Sequence, residues 1–501
     1  MHQTIRNTAI WRSALALIVF ASLEACTVGP HYQAPAPPTV TAYTKPQPTE
    51  TVSSPGPAGA SQRLNPSAEI PADWWTIFRS AGLNRLVEQA LKNSPTLLEA
   101  TARLKEAHEE VIARTGAAKY PAVTGNASVE EQQLNLAAFG IPFPNPSPFT
   151  LLNGSVAVSY VLDLFGANRH LVESLQAERD YQAWQLEGAR LMLAGNVVSA
   201  ALRQAQLREQ IRITRSLLEL QRRELEIAEH RFGAGGLSEY DVSSQKTAVA
   251  QTEASVAPLE AQLDSINHEL AFLIGTTPVE ANISEISLDA ISLPEELPLS
   301  ISSALVRQRP DIRAAEALLH RASANVGVAT ANLYPQIVLS GSGGGQGTKF
   351  NVGGGIWNVG TALSQPIFNG GALHAEKRKA QDSFDEAAAE YRQTVLQSFR
   401  EVADSLRAAE HDAETLRART AAANQAATGY QIATLRFEAG GISEISMLDA
   451  QRQQLGTALD RTNAVAARFA DSATLIQALG GGWWNQSPSP VSPSSVTMES
   501  R

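Results

Sequence analysis

The nine residues Arg231-Phe232-Gly233-Ala234-Gly235-Gly236-Leu237-Ser238-Glu239 return 205 positions later as Arg436-Phe437-Glu438-Ala439-Gly440-Gly441-Ile442-Ser443-Glu444. Leu273-Ile274-Gly275 has its counterpart in Ala478-Leu479-Gly480 at the same distance, whereas Tyr120-Pro121 returns as Tyr334-Pro335 after 214 positions. Nine extra residues in the first half, the difference between 214 and 205, reconcile the two distances. The proline-containing stretch from Phe139 to Pro148 is the natural place for them. A chain duplicated in this way must build one structural unit twice.

Each half reads in the same order. A helix opens at Pro95 or Pro310, where the fixed φ suits a first turn, and stops at Tyr120 or Tyr334 because proline follows. Two alternating segments come next. Val123, Gly125, Ala127 and Val129 share one face of the first, and Val156, Val158, Tyr160 and Leu162 one face of the second. Ile337, Leu339 and Gly341, then Trp357, Val359, Thr361 and Leu363, are their counterparts. This period of two is the signature of strands. A very long helix follows in each half. Leu193, Val197, Ala200, Gln204, Leu207 and Ile211 keep a four-three spacing, as do Val402, Leu406, Ala409, Ala413 and Leu416, which predicts coiled-coil seams with many small residues. From His170 to Phe232 such a helix would be roughly 95 Å long at 1.5 Å per residue. The paired glycines supply the left-handed turn that ends it. Ser238 or Ser443 caps a return helix, with an acidic residue in its first turn; these run Tyr240–Gly275 and Ile445–Gly480.

The N-terminus carries an export signal. Arg6 and Arg12 precede the apolar run from Ala14 to Leu23, which is too short to span a bilayer as a helix. Leu23-Glu24-Ala25-Cys26 follows and resembles a bacterial lipobox, with Glu24 standing where a small or hydroxyl residue is usual. Cys26, the one cysteine of 501 residues, is then the site of a covalent lipid. An ordinary cleaved signal followed by an incidental cysteine is the other reading. Thr27, where an Asp would favour retention in the inner membrane, points to the outer one. Residues 30–71, centred on Pro35-Ala36-Pro37-Pro38, read as an extended tether with too little apolar surface to order itself. The chain therefore divides into 1–25 (signal), 26–71 (lipid-anchored Pro-rich segment), 72–275 and 276–480 (the two repeats) and 481–501 (flexible tail).

Four Gly- and Ser-rich strands of about ten residues fit outer-membrane strands in length and pattern. Four cannot close a barrel, and lipid tolerates no open edge. Other copies must complete the sheet, giving eight strands in a dimer or twelve in a trimer. A barrel continued by long coiled helices is a conduit.

At this point the chain resembles the outer membrane efflux factor family, the TolC-like proteins, and especially its NodT-type lipoprotein branch. The motifs that carry the likeness are Cys26-Thr27-Val28-Gly29-Pro30-His31-Tyr32, Trp74-Trp75, Arg309-Pro310-Asp311-Ile312-Arg313-Ala314-Ala315-Glu316 and the two Gly-Gly tips, and it extends over essentially 26–480. The resemblance implies a mainly α fold with transmembrane β: a homotrimer with a twelve-stranded barrel and a periplasmic α-barrel. It also implies a closed tip opened by a periplasmic adaptor and an inner-membrane pump. Carried onto this chain, Gly235, Gly236, Leu237, Ser238, Gly440, Gly441, Ile442 and Ser443 fall at the tip that the adaptor touches. Asp449 matches a position lining the constriction, and Asp241 lies at the comparable place after the first tip. Threefold repetition would make Asp449 a ring of carboxylates, a cation-selective element; the other reading is a solvated or ion-paired helix residue.

The formal net charge of −10 argues against nucleic acid, which calls for basic stripes. Gly341-Ser342-Gly343-Gly344-Gly345-Gln346-Gly347-Thr348-Lys349 lacks the Gly-Lys-Ser/Thr order of a phosphate loop and reads as a hairpin loop outside the barrel. The nine histidines include no His-x-x-x-His pair, no nucleophile elbow occurs, and no cofactor beyond the lipid on Cys26 is expected. The chain is read as an outer-membrane exit duct for small toxic compounds and not as an enzyme. A lipid-anchored periplasmic coiled-coil scaffold is the competing class, and strands that face lipid speak against it.

Overall fold

The computed structural model describes residues 27–485 apart from 41, 67, 137–139, 141, 145–146, 300–301 and 349–352. Cys26 and the signal lie outside the described residues, as do 486–501. In chain order the elements are β1 (Arg63–Asn65), α1 (Ala81–Asn93), α2 (Pro95–Lys119), β2 (Ala122–Gln132), β3 (Phe149–Leu162), α3 (Ala167–Gly233) and α4 (Glu239–Leu273). They continue as β4 (Glu296–Pro298), α5 (Ser302–Gln308), α6 (Pro310–Ala331), β5 (Gln336–Thr348), β6 (Gly354–Ser364), α7 (Ala372–Glu438) and α8 (Glu444–Ala478). The order helix, strand, strand, long helix, return helix occurs in both halves. The long helices α3 and α7 each have 67 residues and the return helices α4 and α8 each have 35. Among the described residues no helix is long and apolar enough to cross a membrane.

The chain forms two compact units. The first takes the described part of 1–35 with 103–182 and 314–392, and the second takes 36–102, 183–313 and the described part of 393–501. The first unit contains one antiparallel sheet in the order β2-β3-β5-β6. Each hairpin comes from one half, and β3 pairs with β5 to join them. One expectation fails here. The glycine-rich stretch from Gly341 is not a loop, because β5 runs through it to Thr348, pairing with β3 as far as that residue and with β6 through Gln346. Glycine is needed for close approach: a Cβ on Gly344 would lie 2.2 Å from the Gly154 carbonyl oxygen and 2.7 Å from Ser155 Cα.

The second unit holds the helical core. The seam read from the four-three spacing is buried, with Val197, Leu207, Val402, Leu406 and Leu416 almost without exposure. A second cluster gathers Phe78, Leu83, Leu86, Leu297, Leu305 and Phe469, equally enclosed, with Phe78 edge-on to Phe469 at 6.4 Å. Burying side chains of this size contributes about 1.5–3 kcal/mol each. Trp74 and Trp75 enter this core from a 3₁₀ turn, Trp74–Phe78.

The segment taken as a loose tether is docked. Within the second unit β1 pairs in parallel with β4, and Gln62 is fully buried, donating to Pro294 O (3.0 Å) and Ser472 Oγ (2.9 Å). Arg468, 1% exposed, reaches Thr51 Oγ1 and the carbonyls of Ala60 and Ala409. A Pro-rich chain that cannot make its own core can still order itself on another surface, where side-chain donors meet its carbonyls. Residues 483–485, read as part of a flexible tail, are held in place. Trp483 donates to Gln308 O (2.5 Å) and packs edge-on against Trp184, while Asn485 donates to Ile70 O (2.8 Å).

Beside Arg468, Asp471 is pushed up to about 7, first by burial and then by the neighbouring Asp412, with Arg468 pulling the other way. The folded state thus holds this proton more tightly than the unfolded chain, whose ordinary value is 3.8. That stabilisation is complete below the unfolded value and is lost as pH rises through about 7. The wild-type thermal midpoint should therefore fall between pH 5 and pH 8. Asp471→Asn should flatten this dependence and raise the midpoint at pH 8; an unchanged pH profile in the variant would refute the assignment.

Candidate functional site

The sheet of the first unit has two unlike faces. Registers place Val123 opposite Val158, Val158 opposite Gly341 and Gly341 opposite Val359, so these four form one row. Adjacent rows on the same face are Gly125, Val156, Gly343 and Trp357, then Tyr160, Leu339 and Thr361. The opposite face carries Thr124, Ala157, Ser342 and Asn358 in one row and Ser128, Asn153 and Gln346 in another. One side is apolar with no cover: Val123, Val129, Trp357 and Val359 are largely exposed. The other is polar and built from small residues. Among the described residues no strand pairs with the outer edges of β2 and β6.

The tips lie in the second unit. Gly235 and Gly440 take φ of 77° and 72°, where a side chain is strained. Gly236 N donates to Arg231 O and Gly441 N to Arg436 O, both at 2.8 Å, closing each long helix. Gly235, Gly236, Gly440, Gly441 and Ser443 are exposed, Leu237 and Ile442 stand at the turn between them, and Ser238 and Ser443 cap α4 and α8. The caps differ. Ser238 and Asp241 bond reciprocally: Ser238 N and Oγ donate to Asp241 Oδ2 (3.1 and 2.6 Å), and Asp241 N donates to Ser238 Oγ (3.2 Å). After the second tip the same place is held by Ser446, whose N–H reaches Ser443 Oγ at 3.4 Å. Asp241 is thus a capping residue equivalent to Ser446, and the expected correspondence with Asp449 does not hold. Asp449 projects from α8 with its side chain 62% exposed and is ion-paired with Arg452 on the next turn.

Sequence reading missed two polar clusters near this end. Tyr430 donates to Glu224 Oε1 (2.9 Å), and Gln451 donates to Glu224 Oε2 (2.9 Å), tying α3, α7 and α8 together. Burial, followed by the Glu224 charge, raises the Tyr430 hydroxyl above its ordinary range. Gln245 of α4 donates to Glu444 of α8 at 2.5 Å, and burial pushes the Glu444 carboxyl up. Gln221, Gln245 and Gln451 are each about 1% exposed or less. Polar residues on a heptad seam were the available signal, since they need partners across it.

The Arg309-Pro310-Asp311 motif resolves into a staple. Arg309 forks onto Asp311 (3.0 and 2.7 Å), reaches Glu401 Oε2 (2.7 Å) and donates to the carbonyl of Ala478 (2.8 Å), the last residue of α8. Burial pulls its guanidinium down, and the two carboxylates more than reverse this. Arg313 lies over the Trp184 ring at 5.1 Å. Among the described residues no three His, Cys, Asp or Glu side chains are grouped to hold a metal. Arg309→Ala removes a buried donor from a helix-end carbonyl and from two part-exposed carboxylates, and should destabilise the second unit by about 1–3 kcal/mol. Arg309→Lys, lacking the fork, should recover less than half; denaturant titration of both variants checks this.

A family model described as outer membrane efflux protein matches residues 86–276 and 301–481. The pyoverdine export outer membrane protein OpmQ of Pseudomonas aeruginosa is 30% identical over 421 residues, 82% of this chain and 87% of its own. A probable outer membrane lipoprotein of Salmonella typhimurium, SilC, is 26% identical over 82% of this chain and 88% of its own length. The solved structure of the outer-membrane channel OprN superposes with a TM-score of 0.82 at 29% identity, covering 91% of this chain and all of that one.

Proposed function

The chain belongs to the outer membrane efflux protein family, and from that premise we propose that three copies form the exit duct of a tripartite efflux system. An inner-membrane pump and a periplasmic adaptor would deliver the cargo. The observation that carries this reading is the two-faced sheet with both edges unpaired. An apolar face suits lipid, and a polar face of Ser, Asn, Thr and Gly suits a water-filled lumen. Two copies would give eight strands, a number whose interior side chains fill; three give twelve and leave a passage. The cargo class is small toxic compounds, consistent with relatives whose names include efflux of antibiotics, toluene and solvents.

The internal duplication also supplies the register between copies. Val123 faces Val158 in the first hairpin, and Ile337 faces Leu363 in the second, so β2 maps onto β5 by 214 positions and β3 onto β6 by 205. Val158 faces Gly341 where the halves join. The same join between copies sets Leu363 of one copy against Ala127 of the next, and Ala362 against Ser128. Ser128→Cys combined with Ala362→Cys should give covalent trimers under oxidation, resolved on non-reducing gels. Ser128→Cys with Gly360→Cys, two residues out of register, should give few. A ladder ending at dimers would sink the trimer.

Glycines at 235, 236, 440 and 441, with Leu237, Ser238, Ile442 and Ser443, are proposed as the surface that the adaptor touches, because they are the turns that end both helix pairs. Asp449 is proposed to line the constriction. Its one-to-one pairing with Arg452 cancels the formal charge of a bare carboxylate ring, so cation preference should be weak. In planar bilayers Arg452→Ala should raise cation over anion permeability, and Asp449→Asn should reverse that gain in the double variant. No change in ion preference for either would remove Asp449 from the constriction. Acylation of Cys26 is proposed from the lipobox likeness and from a relative named as a lipoprotein.

A further inference from the structure

The return helix of the second pair begins with a buried acid. Glu444, the first residue of α8, is 4% exposed, and Gln245 of α4, which donates to Glu444 Oε1 at 2.5 Å, is 1% exposed. Both belong to the second unit. Each keeps one further atom, Glu444 Oε2 and Gln245 Oε1, and among the described residues neither atom has a hydrogen-bond partner. Both are acceptors when the carboxyl is ionised. A buried acceptor without a donor is costly, the more so when it carries charge. Turning the Gln245 amide over does not relieve this, because its carbonyl would then face a carboxylate oxygen.

One proton does relieve it. A carboxylic acid and a primary amide are both planar, and each offers a donor and an acceptor side by side. They close a ring through two hydrogen bonds, amide N–H to acid carbonyl and acid O–H to amide carbonyl. The first of these is the bond from Gln245 to Glu444. The second takes the two unpartnered atoms and no others.

The surroundings make the pair titratable. Burial raises the Glu444 carboxyl above its ordinary value of 4.5, against the pull of the Gln245 bond. Asp241 of α4 and Glu224 of α3 push the same way as burial, and Arg231 of α3 opposes them. Arg231 is itself drawn over the Phe437 ring of α7, 5.4 Å from its centroid. Tyr430, also of α7, is a neutral hydroxyl committed to Glu224. On α8 itself, Asp449 is paired with Arg452, and the helix N-terminus favours the ionised form.

We propose that a proton shared between Glu444 and Gln245 latches α4 to α8 beside the Gly-Gly turns, so that the two helix pairs are held together in acid and released as the medium turns alkaline. In the parted form Glu444 meets water and returns to its ordinary value, so the latched form binds the proton more tightly. Latching is therefore at full strength below 4.5 and fades as pH rises through the raised value. This rests on the reading of the chain as an exit duct whose tips part to open.

Two measurements on the full-length protein test it, both in an Asp471→Asn background that removes the other raised carboxyl. Infrared difference spectra of the parent against Glu444→Gln should show one protonated-carboxyl band at pH 5 that is gone at pH 8. In planar bilayers the parent should open several-fold more often at pH 8 than at pH 5. Glu444→Gln carries the second N–H permanently and should stay at the low level at both. Gln245→Leu, which removes both hydrogen bonds, should open at pH 5 as often as the parent does at pH 8. An ionised Glu444 at pH 5 would overturn the shared proton, and a pH response that survives in Glu444→Gln would overturn the latch. The band without conductance in any variant would remove the gating role together with the duct reading beneath it, while the shared proton would stand.

Discussion

A β-strand at the edge of a sheet carries a row of backbone donors and acceptors, and in hydrocarbon each one left unpaired costs several kcal/mol. The four-stranded sheet has two such edges, β2 and β6. Its apolar face is uncovered as well. Lipid would cover the apolar face, but it offers the open edges no partners, and in the proposed trimer pairing with further copies satisfies them. On the proposed reading, oligomerisation is a requirement of insertion, not an addition to a finished fold. The small residues of the polar face suit the same proposed closure, since a passage needs side chains that do not fill it.

The helical part obeys a different economy. Long seams packed through Ala, Ser and Val gain little per residue, so continuity matters more than bulk. The two halves match in helix length, 67 and 35 residues each. Fixed anchors hold those lengths in register: Arg309 ties the start of α6 to the end of α8, and Arg468 with Gln62 ties the N-terminal segment onto α8. Each anchor is a buried donor with several acceptors, and removing it leaves at least one enclosed acceptor, such as the Ala478 carbonyl, without that partner.

Much of this was legible in the sequence because it is periodic. Alternation gave both faces of the sheet residue by residue, and the four-three spacing gave the seams that are buried. Paired glycines marked the turns because a positive φ demands them. Features without a period were missed. β5 hid behind Gly341 to Thr348, since a glycine run looks the same whether it turns or lies between two close strands. The docked segment around Gln62 was missed because its order comes from Arg468 and Ser472, some four hundred positions away. Asp241 was paired with Asp449 by proximity to a Gly-Gly turn, whereas its hydrogen bonds make it the partner of Ser238 and the counterpart of Ser446.

That last difference has a physical consequence for two halves that otherwise match so closely. The first turn is closed by three hydrogen bonds shared between Ser238 and Asp241, two of them to a carboxylate near a helix N-terminus, where the dipole favours negative charge. The second is closed by one long bond from Ser446 N and a hydroxyl pair between Ser443 and Ser446. N-caps are each worth about 1 kcal/mol, so equal turns of backbone are held unequally. The α7–α8 pair depends correspondingly more on contacts away from its own turn, namely Glu224 with Tyr430 and Gln451, and Gln245 with Glu444. All of these reach across to the first pair. Duplication gave both hairpins the same shape, and divergence at position 446 left the second one leaning on the first.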